Sequence, residues 1–345
     1  DDALQQLAKG ADAINWLKET DAGSNSWVLA GTRTASKKPL LAGDPHRALD
    51  TPNVYYQNHI SCPDFDVVGL SFPGVPGFPH FGHNRHVAWC VTHTGADYQD
   101  LFIEKFKEND PSQYKFKGQW LEAQIHHETI HVRDAQPLGL DVTVTHHGPI
   151  IAGDPGKGHG LAFSYTATAG SNIGADALLT MLEAKSSDQL EEAMRRWVDP
   201  CNNLLFADIH GDMGYLCRGR IPIRSRVNGW LPVPGWTGEH EWQGYIPFDE
   251  LPATTNPEAG YVATANNRVV DDNYPYYFSN DYAPDYRVRR VIARILELDK
   301  ATVEDMEGIH SEGTSIPAQI FMKLLADVEP DGTLARQVLE KLLAW

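Results

Sequence analysis

Cysteine is scarce in this chain. Four are present, Cys62, Cys90, Cys201 and Cys217, and no two form a C-x-x-C pair, which argues against zinc and thioredoxin-like sites. Cys201 and Cys217 flank an expected hairpin; pairing across it and free buried thiols both stay open. Long apolar runs are missing too. Without a stretch of about eighteen apolar residues, no membrane-spanning helix is expected. Basic residues are outnumbered, 29 Lys and Arg against 46 Asp and Glu, for a net charge of −17. Such a surface repels nucleic acid and anionic membranes, so neither is expected as a partner. The chain opens Asp1-Asp2, with no initiator Met and no basic, apolar leader. A processed or excised piece is therefore the expectation. Residues 334–345 read as a helix without a Gly or Pro stop, and a missing C-terminal remainder is expected as well. Internal repeats and low-complexity tracts are absent.

What is there suffices for a large core: 345 residues, 42% of them hydrophobic, fit one large domain or two smaller ones. Leu4, Leu7, Ala8, Ala11, Ile14 and Leu17 recur at helical spacing over residues 3–19. From Ser26 the period changes to short β-rich runs at 27–30, 40–42, 54–60, 65–70 and 86–92, separated by Gly, Pro and Asp. Further strands are expected at 100–106, 123–132, 141–146 and 161–168, then helices at 175–184 and 187–198. Residues 204–209 and 213–217 read as a hairpin around His210-Gly211-Asp212, and 261–265 as a strand. The segment 232–257 reads as a long surface loop, and from Tyr286 the pattern is helical. Many strands with helices gathered in blocks argue for an α+β layered architecture.

The stretch that carries chemistry is Gly23-Ser24-Asn25-Ser26-Trp27, where a Gly-Ser bond opens a strand. A serine hydroxyl needs a base beside it to act as a nucleophile. A serine at a chain terminus carries one, because its α-amine has a pKa of about 7.7–8.0. Freeing that amine requires the bond after Gly23 to break. Glycine offers no side chain to hinder attack on its carbonyl and tolerates unusual backbone angles. Gly-Ser alone is also an ordinary turn into a strand.

The surrounding motifs add weight. GSNSWVLAGTRTASKKPLLAGDPHRAL, PGVPGFPHFGHNRHVAWCVTHTGADYQDLFIEKF, RGRIPIR, LPVPGW and GYVATANN occur in this order. Together they resemble the penicillin acylase (penicillin amidase) family of N-terminal nucleophile hydrolases, from Ser24 to about Arg290, and most resemble its acyl-homoserine lactone and cephalosporin acylase types. The resemblance implies a four-layer αββα sandwich. It implies that residues 1–23 end an α chain or form a spacer, and that 24–345 are the N-terminal part of a β chain. It implies cleavage at Gly23–Ser24, a small N-acylated substrate, a precursor whose α and β segments work together, and a periplasmic or secreted location.

The resemblance also implies roles for single residues. Ser24 is the nucleophile and bears the basic amine. His46, in Asp44-Pro45-His46, would orient the Ser24 hydroxyl or amine; a structural His in a tight turn is the other reading. The backbone N–H of His93 and the side-chain amide of Asn266 would hold the oxyanion, with Asn267 a possible register error for the latter. Arg287 would buttress the site, Arg289 and Arg290 being close alternatives. Arg47 and Phe81 would line the acyl pocket, where an arginine suits an acidic or polar acyl group better than a greasy one. Asp97, Gln99 through its carbonyl, and Asp100 would bind a structural Ca²⁺, with Asp281 or nothing as the downstream ligand; hard oxygen donors suit that ion. No organic cofactor is expected.

Two other readings compete. His80, His83 and His86 recur every three residues, with His93 beyond, which suggests the clustered ligands of a metal-dependent hydrolase, though the spacing and turn context are poor for zinc. Nine scattered Trp residues would suit a secreted carbohydrate-binding module only if they gathered on one surface.

Overall fold

The computed structural model describes residues 2–13, 22–171 and 173–344. Helix α1 (Asp2–Ala13) opens the chain; the rest of the expected 3–19 helix lies largely outside the described residues. Strands follow as β1 (Gly23–Leu29), β2 (Leu40–His46), β3 (Tyr56–Ser61), β4 (Asp66–Ser71), β5 (Phe81–His83) and β6 (Val87–His93). Next come β7 (Gln99–Lys107), β8 (Asp110–Phe116), β9 (Gln119–Glu122), β10 (Gln124–Ile130), β11 (Leu138–Thr145), β12 (Gly148–Asp154) and β13 (His159–Tyr165). Helices α2 (Gly174–Glu183) and α3 (Ser187–Ala193) separate these from β14 (Asn202–Asp208) and β15 (Met213–Arg218). Short strands β16 (Val233–Pro234), β17 (Ala253–Thr255) and β18 (Tyr261–Thr264) precede α4 (Tyr286–Glu297), α5 (Val303–His310), α6 (Ile316–Leu325) and α7 (Thr333–Leu343).

Three sheets form. A three-stranded sheet runs β18-β1-β2, and a seven-stranded sheet runs β17-β15-β14-β6-β5-β4-β3. An eight-stranded sheet runs β10-β11-β12-β13-β7-β8-β9, with β16 added beside β7. The period-two pleat of β1 explains how the first two sheets stack. Val28 joins the principal core with Val91, Leu204 and Leu205, while Trp27 and Leu29 pack on Val291 and Ile295 of α4 and Met306 and Ile309 of α5. Ser26, on the Val28 side, donates to the Val91 carbonyl across the interface at 3.3 Å.

The far face of the seven-stranded sheet carries α2 and α3. There Arg218 of β15 donates to Asn202, to the Pro79 carbonyl and to the sulfurs of Met181 and Met194. Asn203, one residue on, points the other way and donates to Thr92. The sequence of layers is thus helices, seven strands, three strands, helices: the expected αββα sandwich. β14 sits inside its sheet, and all seven of its residues are buried, as a strand covered on both faces requires.

The segment 232–257 is not a plain surface loop. It lends β16 to β7, in parallel, and β17 to β15. Pro- and Trp-rich composition hid two short pairings that only tertiary context creates. The hairpin β8–β9 and strand β12 were likewise not expected from the sequence. Cys90, Cys201 and Cys217 are buried free thiols and Cys62 is exposed, so the option of free thiols holds.

Candidate active site

Ser24 is the second residue of β1, the middle strand of the three-stranded sheet, and is buried. Its backbone N–H donates to Asn266 Oδ1 at 2.8 Å, and Asn266 Nδ2 donates back to Ser24 Oγ at 3.1 Å. Asn266 Nδ2 also donates to the His93 carbonyl at 3.0 Å, which sets His93, the last residue of β6, beside Ser24. Asn266 holds this geometry at φ +64°, a left-handed conformation that asparagine tolerates better than most side chains. Asn267 is engaged elsewhere, accepting from the Ala265 N–H. Of the two asparagines, the structure places Asn266 at Ser24.

Arg287 comes from the first turn of α4. It donates to the Ser24 carbonyl at 2.8 Å, to Asn25 Oδ1 at 2.6 Å and to Asn266 Oδ1 at 2.9 Å. Burial lowers its pKa, but a guanidinium stays charged at any ordinary pH. Arg289 and Arg290 pair instead with Asp285 and Glu312. One arginine therefore fixes three groups around Ser24.

His46 lies opposite Gly23 in the β1–β2 ladder, and Asp44 lies opposite Asn25. The pleat sends Asp44 and His46 to the helix-side face, away from the Ser24 side chain. Among the described residues His46 makes no hydrogen bond to Ser24. Its Nε2 meets Asp44 and Asn25 at 3.1 Å each, while a Cβ built on Gly23 would stand 3.2 Å from its Nδ1. His310 of α5 lies 3.8 Å from Asp44. His310 first, then His46 and Asn25, hold the Asp44 carboxyl well below the usual range, against the opposing effect of burial. A cavity of about 460 Å³ opens on this face, between Asp44, His46, Arg287, Arg294 and His310.

The other expected residues divide. Phe81 is buried in the principal core, its ring against Gly43 of β2. Arg47, following His46, lies close enough to His80, as does His93, to disfavour the protonated imidazole there. Burial is the largest cause and the Arg218 charge the next, and with these the His80 pKa is pushed down to about 3. Asp97 and Asp100 do come together, but around a side chain. Arg224 Nε donates to Asp100 at 2.6 Å, and its Nη2 lies 3.0 Å from an Asp97 oxygen as an ion pair. Trp242 and Asn228 also donate to Asp100, and Tyr277 donates to Asp97. His80, His83, His86 and His93 do not converge. Among the described residues the histidine group that does is Glu104, His146 and His147.

Asn25, Asp44 and His310 had no role assigned from the sequence. Alternation along a strand could have paired Asp44 with His46. Nothing in the sequence could bring His310 across from α5.

The penicillin amidase family model matches residues 1–345. The chain belongs to the penicillin amidase family. Penicillin acylase 2 proenzyme of Pseudomonas sp. (strain SE83) is 41% identical over 345 residues, all of this chain and 44% of that protein. Acyl-homoserine lactone acylase QuiP of Pseudomonas fluorescens (strain Pf0-1) is 33% identical over 294 residues, 84% of this chain and 35% of that protein. The chain thus spans less than half the length of these relatives. A thermostable penicillin G acylase from Alcaligenes faecalis superposes with TM-score 0.78 at 24% identity, over 93% of this chain and 59% of that one, and supports the fold alone. The αββα arrangement of this penicillin amidase chain is thus matched in a solved structure.

Proposed function

We propose that Ser24 is an autocatalytic and then hydrolytic nucleophile, and that the protein carrying this chain is an N-acyl amidohydrolase. The observation that carries the proposal is the paired contact of Asn266 with both the nitrogen and the hydroxyl of Ser24, braced by Arg287. In the first stage Ser24 Oγ attacks the Gly23 carbonyl, the C–N bond breaks, and the acyl group passes to oxygen. Water hydrolyses the ester, leaving a Gly23 carboxylate and a free Ser24 amine. Gly23 suits this stage because a side chain there would press on His46.

In the second stage the new amine, itself or through a water, takes the proton from Ser24 Oγ as the hydroxyl attacks a substrate amide. Asn266 Nδ2, already aimed at Oγ, and the His93 N–H are the donors proposed for the oxyanion. The amine product leaves, an acyl-serine remains, and water releases the acid. While Gly23–Ser24 is intact, the nitrogen is an amide without basicity, and no turnover of external substrate is expected. His46 fits best as a positioning group at Gly23, held by Asp44 and Asn25. Residues 1–23 would then be the segment before the nucleophile and 24–345 the start of the β chain.

For substrate, the relatives' names point to penicillins and acyl-homoserine lactones, and Arg47 favours a polar acyl terminus over a plain alkyl chain. A periplasmic or secreted location belongs to the same proposal and rests on the resemblance. Calcium does not fit the residues as arranged. The ion would need six to eight oxygens, whereas Asp97 and Asp100 already enclose the Arg224 cation.

The test is the intact mass of the denatured protein beside its Ser24→Ala variant. Two pieces divided after Gly23 in the wild type, and one in the variant, are expected. An uncut wild-type precursor of full length would overturn the proposal.

A further inference from the structure

The cluster at the turn between β11 and β12 lies outside the machinery described above. His146 and His147 occupy that turn, Glu104 projects from β7, and Glu241 reaches in from the 232–257 segment. His147 Nδ1 meets Glu104 Oε1 at 2.6 Å, and its Nε2 meets Glu241 Oε1 at 2.9 Å. His146 Nε2 faces the other Glu241 oxygen at 3.4 Å, while its Nδ1 bonds the Tyr114 hydroxyl at 3.0 Å. The His147 ring is locked flat on Phe102, with centroids 3.8 Å apart.

Both histidines therefore present Nε2 to one carboxylate, and both have Nδ1 held from behind. That is how metal-binding imidazoles are commonly set: the far nitrogen is fixed by a carboxylate or another polar group, and the near one carries the lone pair. Two imidazoles and a carboxylate form a zinc-type donor set that leaves a fourth position open. A second observation points the same way. Glu104 is wholly buried, and its Oε2 has no hydrogen-bond partner. Two carboxylates at one buried histidine leave negative charge to be balanced. A divalent cation with two neutral imidazoles balances it fully.

We propose that His146 Nε2, His147 Nε2 and the Glu241 carboxylate bind a divalent first-row transition metal, zinc being the expected ion, with Glu104 and Tyr114 as the groups that orient the two rings. The ion replaces the protons now shared between Nε2 and Glu241, and those protons are released. With three protein ligands, the fourth position falls to water. Trp242, next to Glu241, donates to Asp100, and Asn228 donates to the His240 carbonyl. The ion would thus fasten the 232–257 segment to the eight-stranded sheet.

The test uses EDTA-dialysed protein and Co²⁺ as a coloured probe, read by its visible d–d bands, with zinc content of the undialysed protein measured by mass spectrometry. The expected result is one Co²⁺ per chain, displaced by Zn²⁺, and a melting temperature that rises with either ion. His146→Ala and Glu241→Gln should each abolish both effects. These side chains are partly exposed, so the variants are expected to fold, and near-UV circular dichroism checks this. His127→Ala, which removes an exposed pair with Asp141, should bind as wild type does. Absence of stoichiometric binding, or undiminished binding in the His146→Ala, Glu241→Gln double variant, overturns the proposal and leaves a network held by protons alone.

Discussion

Replacing Asn266 separates the chemistry of the site from its stability. The side chain makes four contacts: it accepts from the Ser24 N–H and Arg287, and donates to Ser24 Oγ and the His93 carbonyl. Because its φ is +64°, alanine there would add roughly 1–2 kcal/mol of backbone strain. Glycine avoids that strain and is the better probe. Losing one oxyanion donor costs about 2.7–4 kcal/mol in the barrier, or 10²–10³ in rate. Each lost neutral hydrogen bond costs about 0.5–1.5 kcal/mol in stability, and the low end applies at a half-buried side chain such as Asn266. Asn266→Gly should therefore process Gly23–Ser24 about 10²–10³-fold more slowly while losing only about 1–3 kcal/mol of stability. Asn266→Asp keeps the acceptor for Ser24 and Arg287 but points a carboxylate at the developing oxyanion. It should be nearly as stable as wild type and process at least as slowly as the glycine variant. Time-resolved intact mass gives the rate, and urea titration of Ser24→Ala backgrounds gives the stability. A wild-type rate in Asn266→Asp would refute the reasoning. So would rates in both variants that fall only in proportion to the unfolded fraction.

Two further outcomes follow from the charges. His80 has a folded pKa of about 3 against about 6.5 unfolded, so the unfolded chain binds the extra proton between those values. The stability it allows is complete above pH 6.5 and is lost as pH falls toward 3, at up to about 1.4 kcal/mol per unit. His80→Phe should flatten that acid limb in urea titrations at successive pH values; an unchanged slope would contradict it. Arg224→Ala leaves two carboxylates without their cation, Asp100 wholly buried, and should destabilise by about 3–5 kcal/mol. Millimolar Ca²⁺ should raise the melting temperature of that variant and not of the wild type. Equal stabilisation of both would mean that the wild-type site takes calcium despite Arg224.

The layered fold was legible because period-two runs and blocks of helical pattern survive in the sequence: β1, β6 and the β14–β15 hairpin lie near their expected places. Strand β12 was not, since Gly148-Pro149 and Gly153-Asp154 read as turn residues. The site was legible where motif and geometry coincide, at Gly23, Ser24, Asn266 and Arg287. Choosing Asn266 over Asn267, or Arg287 over its neighbours, needed a backbone, since single residues on a turn or helix differ in direction more than in chemistry. The face of His46 illustrates the opposite case. Opposition to Gly23 across the ladder sends its ring away from the Ser24 hydroxyl, a matter of strand parity that no motif records. Arg224 was invisible as a partner for Asp97 and Asp100 because it enters from more than a hundred residues downstream.

The docking of α1 has a consequence for what scission would release. Among the described residues α1 rests on β12 and β13 through Ala3 and Leu7, with Gln6 accepting from the Gly153 N–H. Burying two such side chains contributes about 2–4 kcal/mol. While the chain is continuous, the tether keeps this weak contact at a high effective concentration. Once Gly23 and Ser24 part, the same contact must stand as a bimolecular complex, and about 4 kcal/mol corresponds to only millimolar affinity. The docking of α1 alone would therefore not hold a severed segment at working concentrations, so a two-piece protein that stays together after scission must be joined by other contacts.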